Sequence, residues 1–378
     1  MMKPSVAIIC SGLGQVRRGN ETWAHTVAEA LHAADWPVTL FGGGPLVTTC
    51  PYVQVRNWPR ESFLARFGMS WHNRYVLEQL SFAAAVKRQL ARDPHPLLHV
   101  ADPSLGQRLQ RAAKELGAQV VYKDGLLLGP AWCRQFDVVQ VLAPAYLEAA
   151  RKESVDTKKW FIIPHLVDTQ HFQPPTDRSA VRRQLFGDKI SADACVVLAV
   201  GDLSPNSNKR LDWIVRETAT LPEAARPYVV IIGQASAADA RAFQELAAKQ
   251  LGGRAVVLTN VKPTDMPAYY QAADIFAHAA LREPFGIVFL EAMASGLPVL
   301  AHNYEVTQWI VDEGGLTFDM GTSGELAKRI QAWVQQPAER RHFAEQARAR
   351  AVKRFSPAQI VPLYEQMYRQ VAGSGVNS

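Results

Sequence analysis

The 378-residue chain has only four cysteines, Cys10, Cys50, Cys133 and Cys195, and no two of them share a CxxC spacing. That excludes a zinc-ribbon ligand pattern and a disulfide framework, and it fits a reducing compartment such as the cytoplasm. No apolar run reaches the ~18–20 residues that a membrane-spanning helix needs. The opening "SVAIIC" is apolar but short and runs straight into glycines, so it reads as a first strand rather than a secretory leader. Internal repeats and low-complexity tracts are lacking. So is any nucleic-acid-binding motif, and no nucleic-acid partner is expected. The loop "CSGLGQVRRGNE" has Gly12 and Gly14 but Arg17 where a dinucleotide fingerprint has its third glycine. The second strand ends in Gly42-Gly43-Gly44 rather than an acid, which argues against an NAD site.

Charge is present but uneven. Residues 1–165 hold 19 Lys+Arg against 13 Asp+Glu, and residues 166–378 hold 22 against 22, so the whole excess of +6 lies in the first half. Such a half is expected to face an anionic partner or to be a solvated surface. Its segment "RNWPRESFLARFGMSWHNRYVLEQL" mixes Arg56, Arg60, Arg66 and Arg74 with Trp58, Phe63, Phe67, Trp71 and Tyr75. Phe63, Phe67 and Trp71 fall at i, i+4, i+8. Two readings stay open there: a core-facing stripe with snorkelling arginines, or a surface for an anionic acceptor or a membrane headgroup layer.

Apolar runs and helical periodicity alternate. "SVAIIC", "PVTLF", "PLLHV", "AQVVY", "DVVQVL" and "WFIIP" read as strands, with helices between them. In the first of these helices Trp23, Val27 and Leu31 share one face, and Asn20 is expected to cap it. The irregular "HLVDTQHFQPPTDRS" interrupts the alternation as a linker in which Asp168 is structural. A second series follows: "ACVVLAVG", "YVVIIG", "AVVLT", "DIFAHA" and "LPVLA", closed by long helices. The expected fold class is α/β, with two doubly wound domains and ligands at the carboxyl ends of strands. His99 ends one strand near Asp102, where packing and chemistry are both open. His278 and His302 read as structural.

"REPFGIVFLEAMASGLPVLA" places two glutamates in an otherwise apolar stretch. Pro284 and Gly286 keep Glu283 in a loop, and a short helix from Gly286–Ile287 to Ser295-Gly296 carries Glu291. A buried carboxylate needs a partner, so Glu291 is expected to meet the helix end, a polar ligand or a basic side chain. The free N–H groups at that helix start would suit a diphosphate.

This arrangement of Glu, a Gly turn, a helix bearing a second Glu after seven intervening residues, and "GLPV" resembles the retaining GT-B glycosyltransferases, especially glycosyltransferase family 4. "VGDLSPNSNKRLDWIV" is similar to the family's loop bearing basic residues for the donor diphosphate, with Lys209 in the lysine place and Arg210 beside it. "IPHLVDTQHFQP" is similar to its linker, with His165 and Leu166 where Asn and Gly are usual. Two departures stand out: Asp202 sits where an arginine is frequent, and Lys123-Asp124-Gly125 where a histidine is frequent.

The resemblance implies a GT-B fold, with Rossmann-like domains at 1–165 and 166–355 facing a central cleft and a helix at 356–378 crossing back to the first domain. It implies transfer of a sugar, with retention and without metal or cofactor, from a UDP-, GDP- or ADP-sugar to a carbohydrate or lipid-linked acceptor. Envelope glycolipid or polysaccharide biosynthesis is the implied setting, in the cytoplasm or peripherally at the inner face of the membrane. Glu283, Lys209 and Arg210 are the implied catalytic residues. Glu291, Phe285, Gly286, Ile287 and Val261 would bind the donor. Gly12, Gly14, Arg18, His99, Lys123 and Asp124 would face the acceptor side. A non-catalytic sugar-nucleotide-binding subunit and another GT-B enzyme, such as an epimerase, are the alternatives.

Overall fold

The computed structural model describes residues 3–16, 18–60 and 69–374, without the side chains of Trp71 and Ser374. Phe63, Arg66, Phe67 and Arg17 lie outside the described residues, and with them the proposed aromatic stripe. The chain divides into two compact units, residues 1–166 with 357–378, and residues 167–356.

The first unit is built on seven strands: β1 (Val6–Cys10), β2 (Val38–Gly42), β3 (Tyr52–Gln54), β4 (Leu97–Val100), β5 (Gln119–Lys123), β6 (Val138–Val141) and β7 (Trp160–Ile162). They pair in parallel in the order β3-β2-β1-β4-β5-β6-β7. The chain winds outward from β1 to β3, then returns to β4 on the other side of β1. Every residue of β1 and β4 is buried, as expected for parallel strands covered on both faces.

Helix Gly19–Ala33 lays Trp23, Val27 and Leu31 onto the sheet. Arg18, not Asn20, takes its N-cap position, because the helix begins two residues earlier than expected. The last helix, Pro357–Ser374, buries Tyr364, Met367, Tyr368 and Val371 in the same core, at the helical spacing of one face. The Trp23 indole N–H donates to the Tyr364 hydroxyl at 2.9 Å. Arg60 does not snorkel. It is buried and paired with Glu78, Nη2 to Oε1 at 2.5 Å, while Trp58 beside it is 46% exposed.

The second unit holds β8 (Val196–Asp202), β9 (Tyr228–Gln234), β10 (Ala255–Thr259), β11 (Ile275–His278), β12 (Val299–His302) and β13 (Gly315–Phe318). These are again parallel, in the order β10-β9-β8-β11-β12-β13. The edge strands β3 and β13 have only three and four residues, too short for an apolar pattern to announce them. Asp168 makes a local turn, its Oδ1 accepting from the Gln170 and His171 amides. Among the described residues, no helix is long and apolar enough to cross a membrane.

Candidate active site

In a doubly wound sheet the loops diverge where the strand order reverses, leaving a crevice at the carboxyl ends of two neighbouring strands. In the second unit those strands are β8 and β11. The loop after β8 carries Lys209, and the loop after β11 carries Glu283. The Lys209 ammonium donates to Glu283 Oε2, and the same oxygen lies 2.9 Å from His278 Nε2 at the end of β11. Glu283 is 5% exposed and His278 1%, whereas the Lys209 side chain keeps 26%. Burial alone would push the Glu283 carboxyl up, but the His278 contact and the Lys209 charge bring it down to about 2. Glu283 Oε1 makes no hydrogen bond among the described residues. Lys209, an ammonium with three protons, gives one to Glu283 and makes no other hydrogen bond among the described residues.

His278 read as structural in the sequence. The fold instead places it against the key carboxylate, wedged edge-on to the Phe289 ring at 4.9 Å. The signal available was its position as the last residue of a strand at the reversal point.

Gly286 follows Glu283 with φ +82°, and a Cβ there would lie 2.7 Å from the Phe289 ring and 3.0 Å from Glu283 Cγ. Only glycine permits this turn. Helix Ile287–Ala294 starts next, with Gly286 in its N-cap position. Glu291, within it, is half-buried and accepts from the Tyr270 hydroxyl at 2.7 Å. Tyr270 is the required partner, and it comes from the preceding helix rather than from a basic group. Desolvation raises the Glu291 carboxyl, and the Tyr270 hydrogen bond offsets only part of that. Its other oxygen is unbonded among the described residues.

Other expected donor-side residues fall differently. Arg210 turns away from Glu283. It sits in the left-handed region at φ 49°, donates to the Ala279 and Met320 carbonyls and stacks on Trp213. It therefore braces the loop after β11. Phe285 is 2% exposed, with its ring against Phe355. Ile287 opens the helix, and Val261 follows the edge strand β10, two strands from β8. Asp202 is exposed and its carboxylate accepts from the Ser204 amide, so it folds into its own turn.

The first unit has its own reversal point, at β1 and β4. Gly14 has φ +78°, and a Cβ on it would lie 2.5 Å from the Gly44 backbone, so two glycine loops touch there. Gly12 is buried against Glu21, whose Oε1 would stand 2.2 Å from a Cβ at that position. The Glu21 Oε2 atom is buried with no hydrogen-bond partner among the described residues, and burial raises its carboxyl. Lys123, at the end of β5, is 1% exposed, donates to Asn20 Oδ1 at 3.0 Å and lies over the Trp23 ring. Burial lowers its ammonium to about 8, against the opposing pull of Asp124, Cys10 and Glu21. Asp124 is buried beside it with its carboxyl raised by desolvation. Arg18 is exposed.

His99 does not reach the surface. It is fully buried, bonded through Nδ1 to the Tyr368 hydroxyl at 2.7 Å and edge-on to Trp23, and burial holds it down to about 3. It packs the core behind the loops.

Residues 182–350 match the family described as glycosyl transferases group 1. The fold is GT-B. Sucrose-phosphate synthase from Thermosynechococcus elongatus superposes with a TM-score of 0.83 at 23% identity, over 98% of this chain and 100% of that one. Anabaena HepE in complex with UDP-glucose gives 0.75 at 20%, over 99% and 100%. In sequence, the D-inositol 3-phosphate glycosyltransferase of Corynebacterium aurimucosum is 41% identical over 143 residues, 35% of this chain and 32% of that protein. The mannosylfructose-phosphate synthase of Agrobacterium fabrum is 30% identical over 176 residues, 44% and 38%. The chain thus spans about a third of the length of these curated relatives.

Proposed function

We propose that the chain is a retaining, metal-independent glycosyltransferase, of family 4 by its Glu-x7-Glu spacing, that moves a sugar from a nucleotide diphosphosugar to an acceptor hydroxyl. The observation that carries this is the convergence of Lys209 and His278 on Glu283 at the reversal point of the second sheet, beside a helix start and Glu291. Breaking the glycosidic bond builds charge on the departing diphosphate. The two spare Lys209 protons and the amides near Gly286–Ile287 supply donors aimed at that charge. Glu283 is kept ionised by its partners, and its free Oε1 suits a hydroxyl of the transferred sugar. Glu291 Oε1 suits the ribose hydroxyls.

UDP and UDP-glucose are named in the HepE complexes, which makes a UDP-sugar the first donor to try. Several relatives are named for phosphorylated polyols or sugars. A phosphorylated acceptor also suits the basic first unit and the buried Lys123 amine on β5, the strand next to its reversal point. The proposed setting is the cytoplasm. A lipid-linked acceptor of the cell envelope, met at the membrane face, is the reading to test against it.

The purified protein is incubated with UDP-, GDP- and ADP-hexoses without acceptor. Slow nucleotide release, accelerated by a polyol or sugar phosphate, is the expected result. Binding without release from any donor would make the chain a sugar-nucleotide-binding subunit. The anomeric configuration of the product, read by NMR, decides retention.

A further inference from the structure

The amino-terminal edge of the second sheet, at the opposite ends of β8 and β11 from Glu283, carries a second concentration of charge. Asp274, immediately before β11, is buried and receives three guanidinium groups. Arg182 Nη2 lies 2.5 Å from Oδ2, Arg178 Nη1 3.2 Å from Oδ1, and Arg340 Nη2 3.8 Å from Oδ1. The Val196 amide also donates to Oδ2, at 2.9 Å. One carboxylate is therefore shared by three cations. The second acid nearby, Asp193, is exposed at the rim and pairs with none of them.

The three arginines are not equivalent. Arg182 is 4% exposed, and its Nε and Nη1 are taken by the carbonyls of Ala272, Ala192 and Ala194. It is a structural clamp. Arg178 keeps 36% exposure, and its Nη2 has no partner among the described residues. Arg340 keeps 17% and bonds through Nη1 to the Trp333 carbonyl and the Cys195 sulfur, leaving Nε unbonded among the described residues. These free nitrogens border an open cavity of about 480 Å³ that Asp274, Cys195 and Pro337 also line. That is the size of pockets that take small metabolites.

Like charges crowded at one buried acid are unfavourable without a counter-anion, and burial with two neighbouring guanidinium groups already lowers Arg178. Planar guanidinium forks match the oxygens of a phosphate. We propose that this cavity is a binding site for a phosphate-bearing small molecule, separate from the sugar-transfer site. It is anchored by Arg178 and Arg340, with Asp274 and Arg182 as its fixed floor.

The test uses inorganic phosphate as probe, followed by calorimetry and by 31P NMR line broadening on the full-length protein. Saturable binding is expected in the wild type and in Lys209→Ala. It should weaken about tenfold or more in Arg178→Ala, the worth of a charge-assisted hydrogen bond. Arg178→Lys, which keeps the charge but not the fork, should be intermediate and guards against a folding defect in the alanine variant. Arg340→Gln should weaken binding in the same direction. No saturable binding in the wild type would overturn the proposal. So would binding that disappears only in Lys209→Ala, or arginine variants that lower the melting temperature while binding phosphate as the wild type does.

Discussion

The two sheets reverse their strand order in the same way, yet the charged groups at the two reversal points are held in opposite states. In the second unit an amine and an imidazole meet one carboxylate, whose affinity for protons falls to about 2. In the first, Lys123 lies among Glu21 and Asp124 but bonds to the neutral Asn20. There desolvation wins: the amine falls to about 8 and both carboxyls rise. Burial with a partner fixes charge, and burial without one erodes it.

The comparison breaks most visibly at Lys209. Lys209→Ala is expected to lower turnover by ~10²–10³ while the fold persists, because it removes the donor aimed at the leaving group. Steady-state nucleotide release with an unchanged circular dichroism spectrum checks this, and near-wild-type turnover would sink the assignment.

Next in size is Glu283. Its depressed folded value means that the unfolded chain binds the extra proton between the ordinary glutamate range and about pH 2. The stability it contributes is fully present above that range and is lost as pH falls through the window, on the order of 3 kcal/mol. Glu283→Gln should be destabilised near neutral pH and should lose stability less steeply in acid. Urea unfolding from pH 7 to pH 3 shows whether the two curves converge.

Lys123 tests the other half of the contrast with a slope of the same sign in an alkaline window. Its value is depressed too, but it is a base, so between about pH 8 and the ordinary lysine range the unfolded chain holds the additional proton. Wild-type stability should therefore rise with pH across that window, by about 1–3 kcal/mol. Lys123→Met should lack this gain. An identical pH dependence in the variant would show that the amine is not the source.

The smallest effect is at Glu291, whose raised carboxyl makes its ionised form a stability cost as pH rises. Glu291→Gln keeps an acceptor for Tyr270 and should raise Tm by ~2–4 °C at neutral pH while weakening nucleotide affinity. Calorimetry of unfolding and of UDP binding, on the same variant, separates the two consequences.

Much of the fold was legible in the chain. Strands such as "VAIIC" and "VVLAVG" are continuous apolar runs because both faces are covered, and the face formed by Trp23, Val27 and Leu31 is buried as its spacing implies. The loop position of Glu283 and the helical position of Glu291 followed from Pro284 and Gly286, since neither residue suits a helix interior. The edge strands β3 and β13 were not legible, being too short to show a period. Partnership was not legible either. Lys209 and Glu283 lie 74 positions apart, and nothing local says that Arg210 will turn to the Ala279 and Met320 carbonyls instead of joining them.

The sequence by itself determined where strands and helices form and which loops carry carboxylates and amines, because those depend on neighbours a few residues away. The tertiary structure alone decided that His278 is a partner while His99 is core, and that Lys209 meets a glutamate while the buried Lys123 is left with an amide. The state of a charged group depends on what lies within a few ångströms of it, and at both reversal points those neighbours come from distant strands brought together by the winding of the sheet.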